Sequence, residues 1–142
     1  MTASDEATRE LLRKAQTIAI VGLSDKPERD SNEVARYLLN VGYDVIPVNP
    51  NLSEVFGRRA FPSVREIPAG RRIDIVDIFR RSEQVGPIVD EAIARGAGAI
   101  WMQLGVQNDD AAGAARARGI PVYQNLCIMQ EHRRLRVGPV RG

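Results

Sequence analysis

The chain has 142 residues, of which 44% are hydrophobic and 27% charged, and its net charge is +2. A domain of this length buries roughly two-thirds of its unfolded surface and needs no staple, and the composition excludes a disordered or collagen-like chain. No apolar run approaches the ~20 residues of a membrane span, and a single cysteine, Cys127, with one histidine supplies neither an internal disulfide nor a zinc cluster.

In chain order, Ser4 caps a first helix running to about Lys14, with Asp5 and Glu6 in its favourable first turn. The same stretch is too charged for a signal peptide, so the expected location is cytoplasmic. Thr17–Val21 is a short β-branched run ended by Gly22, the pattern of a strand buried on both faces. Ser31 or Asn32 opens the next helix, whose apolar face is Val34, Tyr37, Leu38 and Val41 and whose stop is Gly42. Asp44–Val48 is a second strand containing Pro47, a residue that prefers edges.

Residues 49–67 read as loop with one helical turn near Ser63. Residues 73–79 form a third strand. Ser82 caps a helix with Val85, Ile88, Val89 and Ile93 on one face, ending at Gly96. Residues 98–102 form a fourth strand, and Asn108 or Asp109 opens an alanine-rich helix that ends at Gly119. Residues 120–123 form a fifth strand, and residues 127–135 a final turn or helix. The last twelve residues hold four arginines against one glutamate. The basicity therefore sits in a tail from about residue 133, behind a body of nearly neutral charge.

Strands that alternate with helices predict one α/β domain over residues 1–142: a Rossmann-like, doubly wound, five-stranded parallel sheet in three αβα layers. The expected strand order is 3-2-1-4-5, with a switch point between the first and fourth strands. Ligands of such sheets bind at the carboxyl ends of the strands. Those ends are residues 22–31, Asn49 with Pro50, residues 79–82, residues 103–105 and residues 124–127.

The first of these segments has the strongest chemistry. Gly22 permits a tight turn and close approach of backbone to a ligand. Ser24, Lys26, Arg29 and Ser31 supply hydroxyls and cations, and the following helix offers unpaired N–H groups to a phosphate. The dinucleotide fingerprint is absent: only Gly22 stands where three glycines are required, with Ser24 and Pro27 at the other two positions. The second strand ends in Val48, Asn49 and Pro50 instead of the acid that holds an NAD ribose. Arg80 can fork onto phosphates or meet solvent, and Arg81 can pair with Glu83. Cys127 and His132 are five residues apart, which on a helix does not bring them face to face. Cys127 therefore reads as a buried or pocket-wall thiol and His132 as a surface residue of the basic tail. Trp101 reads as core, and Asp74 and Asp77 as residues that reach an edge or cap a backbone. No carboxylate pair, Ser-His-Asp set or metal triad is visible.

Five stretches in order carry a resemblance over residues 12–135. They are residues 18–29 (IAIVGLSDKPER), 42–50 (GYDVIPVNP), 76–80 (VDIFR), 101–106 (WMQLGV) and 125–127 (NLC). The chain resembles the small stand-alone CoA-binding proteins, whose fold matches the N-terminal CoA-binding domain of the succinyl-CoA synthetase alpha subunit. That resemblance implies that Gly22, Leu23, Ser24, Asp25, Lys26, Pro27 and Arg29 hold the phosphate-bearing ADP half of CoA. Tyr43 lies near the same half, and Val48, Asn49 and Pro50 form the neighbouring wall. Ile78, Phe79 and Arg80 match the third-strand segment used against CoA. Gly105, Asn125 and Cys127 complete the set, the last loop reading Asn-Leu-Cys where relatives carry Asn-Cys or Asp-Arg-Cys.

The synthetase's phosphohistidine domain has no counterpart in these residues, so ligase chemistry is not expected of the chain alone. The expectation is a module that binds CoA or acyl-CoA as a carrier, sensor or regulatory subunit, with a protein partner or homo-oligomer possible and no membrane contact. The alternatives are an NAD(P)-binding oxidoreductase-like protein and a nucleic-acid-binding regulator working through the arginine tail, for which the body lacks a basic face.

Overall fold

A computed structural model describes residues 3–140. Ser4 caps α1 (Asp5–Lys14), its Oγ accepting the Ala7 N–H at 3.1 Å. The chain then runs through β1 (Thr17–Val21), α2 (Asp30–Asn40) and β2 (Asp44–Val48). It continues through β3 (Ile75–Ile78), α3 (Val85–Ala94), β4 (Ala99–Met102), α4 (Asp109–Ala117), β5 (Val122–Tyr123) and α5 (Ile128–Arg134). Asn108 caps α4 through its Oδ1, as its position predicts. Two caps differ from expectation. Arg29 precedes α2 without a side-chain cap, and Ser82 opens a 3-10 turn ahead of α3 instead of the helix itself.

All five strands are parallel, and their order is 2-1-3-4-5. The Rossmann-like doubly wound sheet is as expected, but the order 3-2-1-4-5 is not: β3 pairs with β1 and leaves β2 at the edge. Pro47 gives the physical reason. Val48 faces β1, its carbonyl accepting the Gly22 N–H at 2.8 Å, so alternation turns Pro47 outward. A further strand there would find no donor at Pro47. The outer edge instead receives a single bridge from Phe61, whose N–H reaches the Pro47 carbonyl at 3.0 Å. The switch point thus falls between β1 and β3.

The sheet separates two cores. On one face Val85 and Val89 of α3 and Ala112 and Ala115 of α4 cover Ala19, Val76 and Ile100. On the other, Leu12 of α1, Val34 and Leu38 of α2 and Ile128 of α5 cover Ile18, Ile20, Ile75 and Trp101. Trp101 is fully buried, stacks on Tyr123 at 4.4 Å and donates its Nε1–H to the Leu126 carbonyl at 2.9 Å.

Between β2 and β3 a small hairpin pairs Glu54–Val55 with Arg58–Arg59, where loop was expected. Its turn residues, Phe56 and Gly57, both have positive φ. The usual asparagine is replaced by phenylalanine at the first of these positions, so the sequence carried no hairpin signal there.

The C-terminal segment lies against the body. Arg134 forks onto Asp5, at 2.8 and 3.0 Å, and onto Glu131. Arg133 sits over the Tyr37 ring at 4.7 Å. His132, expected at the surface, is 2% exposed. Its Nδ1 meets the Tyr37 hydroxyl at 2.7 Å and its ring packs edge-on against Tyr37 and Tyr43. Burial lowers its pKa. The charge run predicted a solvated tail, and the aromatic pair on α2 and at the start of β2 overrode it. Among the described residues no helix is long and apolar enough to cross a membrane, and no group of three or more His, Cys, Asp or Glu is placed to hold a metal.

Candidate functional site

The loops after β1 and β3 bound the switch point, and Gly22 fixes their distance. Its φ is +86°, and a Cβ there would stand 2.7 Å from the Phe79 carbonyl oxygen and 3.0 Å from Arg80 Cδ. Only glycine lets the two loops come this close.

From Gly22 the chain folds back on the start of α2 through side-chain bonds. The Ser24 N–H donates to Ser31 Oγ at 3.0 Å, and the Lys26 N–H to Ser24 Oγ at 3.1 Å. Asn32 Nδ2 holds the Ser24 carbonyl at 2.9 Å, while Asn32 Oδ1 accepts from Arg36 Nε. Arg36 in turn donates to the Pro27 carbonyl. Asn49 fastens the β2 loop to this assembly, its Nδ2 donating to the Leu23 carbonyl at 3.0 Å and its Oδ1 accepting the Asn51 N–H at 2.8 Å.

The result is an open groove of about 780 Å³ over the first turn of α2. Gly22, Ser24, Asp25, Lys26, Arg29, Ser31, Asn49 and Phe79 line it, so eight of the expected residues meet there. Asp25, Glu28 and Asp30 share its wall with Lys26 and Arg29, so three carboxylates stand against two cations. The two serine hydroxyls accept from backbone, and each keeps its own proton to donate.

A second cavity of about 410 Å³ adjoins the groove at Phe79 and Asp30. Its inner wall is the buried set Val34, Val106, Cys127 and Met129, and its rim carries Arg80, Arg81 and Glu33. Arg80 is half-buried and donates to Gln84 Oε1 at 3.3 Å. Gly105, with φ +81°, lies on the same cavity and donates its N–H to Asn125 Oδ1 at 2.7 Å.

Other expected residues stand elsewhere. Leu23 and Ile78 are fully buried and belong to the two cores. Val48 and Pro50 turn to a smaller hollow on the α3 side, so the expected wall is split and only Asn49 faces the groove. Pro27 offers its carbonyl to Arg36 rather than a surface to the groove. Asn125 adopts φ +56°, braces Gly105, and opens onto a separate hollow beside β5. Tyr43 is 2% exposed at the amino end of β2, its hydroxyl donating to the Leu12 carbonyl. It lies at the opposite end of the sheet from the groove, and burial raises its pKa to a value where it stays protonated throughout the working range.

Gln103, in the segment after β4, was given no role in the sequence; it lines the second cavity while 4% exposed. Asp77, expected to reach an edge or cap a backbone, does neither: near the end of β3 it is fully buried with both carboxyl oxygens unpartnered, and burial pushes its pKa well above the usual carboxylate range. Asp74 does cap backbone, accepting the Gln16 and Thr17 N–H groups.

The model of a family described as a CoA binding domain matches residues 16–133. The chain belongs to this CoA-binding domain family. An uncharacterised Bacillus subtilis protein, YneT, is 40% identical over 124 residues, covering 87% of this chain and 90% of that one. A hypothetical protein from Pyrococcus horikoshii is 44% identical with a TM-score of 0.90, over 94% of this chain and 92% of that one. The dinucleotide-forming acetyl-coenzyme A synthetase 1 of Ca. Korarchaeum cryptofilum is 24% identical with a TM-score of 0.72. The match covers 82% of this chain but 27% of the synthetase, and shows a shared fold. Small family members and a segment of a large ligase thus have the same Rossmann-like frame.

Proposed function

We propose that the chain binds coenzyme A or an acyl-CoA along the carboxyl edge of its sheet, as a carrier, sensor or regulatory module without chemistry of its own. The observation that carries this reading is the meeting of two unlike cavities at Phe79. The groove over α2 offers Lys26, Arg29, the Ser24 and Ser31 hydroxyls and a helix N-terminus, the donors that phosphates require. The second cavity offers apolar walls to a slender uncharged arm. CoA has that same division: a phosphorylated nucleotide at one end, and a pantetheine arm ending in a thiol at the other. Membership of the family supports the same ligand.

Thermal denaturation with CoA and with dephospho-CoA tests the reading. A ligand of the native state at a hundred times its Kd adds about 2.7 kcal/mol, so Tm is expected to rise by several degrees with CoA. No rise at millimolar CoA overturns the proposal. Arg29→Ala and Arg80→Ala are each expected to weaken CoA binding by about ten- to a hundredfold, the size of a lost charged hydrogen bond. Neither residue makes an ion pair among the described residues, so the unliganded Tm should hold. Normal binding by both variants in titration calorimetry refutes the phosphate assignment.

A further inference from the structure

Gln103 is a built feature of the second cavity. Its side chain is 4% exposed, and its Oε1 is committed, accepting the Ile128 N–H at 3.0 Å. That bond fixes the amide plane and leaves Nε2 as a donor that no described residue accepts. The buried walls beside it, Val34, Val106, Cys127 and Met129, contribute no oxygen acceptor from their side chains. The cavity's charges lie at its rim, on the exposed residues Asp30, Glu33 and Arg81 and on the half-buried Arg80. The buried inner wall is therefore apolar except for one oriented side-chain N–H donor, on Gln103.

We propose that this chamber receives the acyl end of a short, uncharged CoA thioester, with Gln103 Nε2 donating to the thioester carbonyl. The inference rests on the CoA reading above and sharpens it to acyl-CoA over free CoA. A ligand that fills the chamber displaces water from Nε2. Free CoA ends in a thiol, a weak acceptor, and leaves that donor poorly paired, whereas a thioester carbonyl pairs it. A site built to hydrogen-bond one group discriminates against the analogue that lacks it. The volume of about 410 Å³ and the inner wall of buried side chains suit a short acyl group.

Titration calorimetry on the whole chain decides it, with CoA, acetyl-CoA and the S-ethyl thioether of CoA as probes. The thioether has nearly the size of acetyl-CoA without its carbonyl. Acetyl-CoA is expected to bind about tenfold tighter than CoA or the thioether, the worth of one buried hydrogen bond. Gln103→Glu keeps an oxygen for the Ile128 N–H and replaces the amide donor by a carboxylate, so the ratio of acetyl-CoA to CoA affinity is expected to fall to about one. Equal affinity for the three probes in the parent chain overturns the proposal, and that comparison needs no variant. A preference that survives Gln103→Glu, or a variant that weakens CoA and acetyl-CoA alike, overturns the role of Gln103. Binding of CoA without preference leaves the CoA reading standing, and binding of neither overturns both.

Discussion

Replacing Gly22 by valine is expected to lower Tm by about 5–10 °C, from the strain of a β-branched residue at positive φ and the local displacement it forces, and to abolish CoA binding. The residue sits at φ +86°, and its missing Cβ is what lets the Phe79 carbonyl approach. Two bonds hold the neighbourhood in place: the Gly22 N–H to the Val48 carbonyl at 2.8 Å, and the Phe79 N–H to the Val21 carbonyl at 2.9 Å. A valine must push the Phe79–Arg80 backbone away or lift its own loop off β2. Either movement separates the groove over α2 from the second cavity, which share Phe79. A control separates this from glycine effects in general. Gly113 lies in α4, and a Cβ added there would meet no heavy atom within 4 Å outside its own helix. Gly113→Ala should therefore raise stability by about 0.5–1 kcal/mol through helix propensity and leave binding alone. Thermal melts and CoA titration of both variants supply the comparison. A folded Gly22→Val chain that binds CoA with parental affinity refutes the role given to the close approach.

The parts of the fold that were legible in the sequence are those set by local pattern. Ser4 before Asp5 and Glu6, and Asn108 before Asp109 and Asp110, announce helix starts that the structure keeps. The strand order was also encoded, in Pro47, but reading it required knowing which way that residue's absent N–H points, a fact of register rather than composition. The groove was legible for a related reason. Gly22, Ser24, Lys26, Arg29 and Ser31 are close in sequence, so any strand-loop-helix brings them together. Tyr43 stands just before Asp44–Val48, at the amino end of its strand, so local pattern already put it away from the ligand end and only the resemblance placed it near the ligand. His132 was misread because its surroundings are non-local: it lies among arginines whose charge masks the aromatic pair it packs on. Gln103 stood in a strand-end segment already under suspicion. What makes it a donor is the Ile128 N–H, 25 residues away, and no local pattern reports that bond.

Asp77 gives the largest expected change with pH. Its register partners are Ile20 on β1 and Trp101 on β4, both fully buried, and neither carboxyl oxygen has a partner. Desolvation disfavours the anion, so the folded-state pKa lies well above the ordinary value. The unfolded carboxyl ionises near about 3.9. Below that pH both states hold the proton and Asp77 contributes no slope. Above it the unfolded chain releases the proton while the fold retains it, so stability falls as pH rises toward the folded pKa. The slope approaches about 1.4 kcal/mol per pH unit. An Asp77→Asn variant places an amide of nearly the same shape there, and the amide does not ionise. The two proteins should therefore match within about 1 kcal/mol near pH 4, since an unpaired neutral amide and an unpaired neutral acid cost about the same to bury. The variant should then gain on its parent steadily as pH rises. His132 works in the opposite direction: its lowered pKa costs stability as pH falls below the ordinary imidazole value. It is present in both proteins and cancels from the difference. Urea unfolding of the pair from pH 4 to pH 8 measures that difference directly. A difference curve that stays flat over this range means the carboxyl is ionised in the fold, and with it that a charge, not a neutral acid, lies two residues before Phe79, where the two cavities meet.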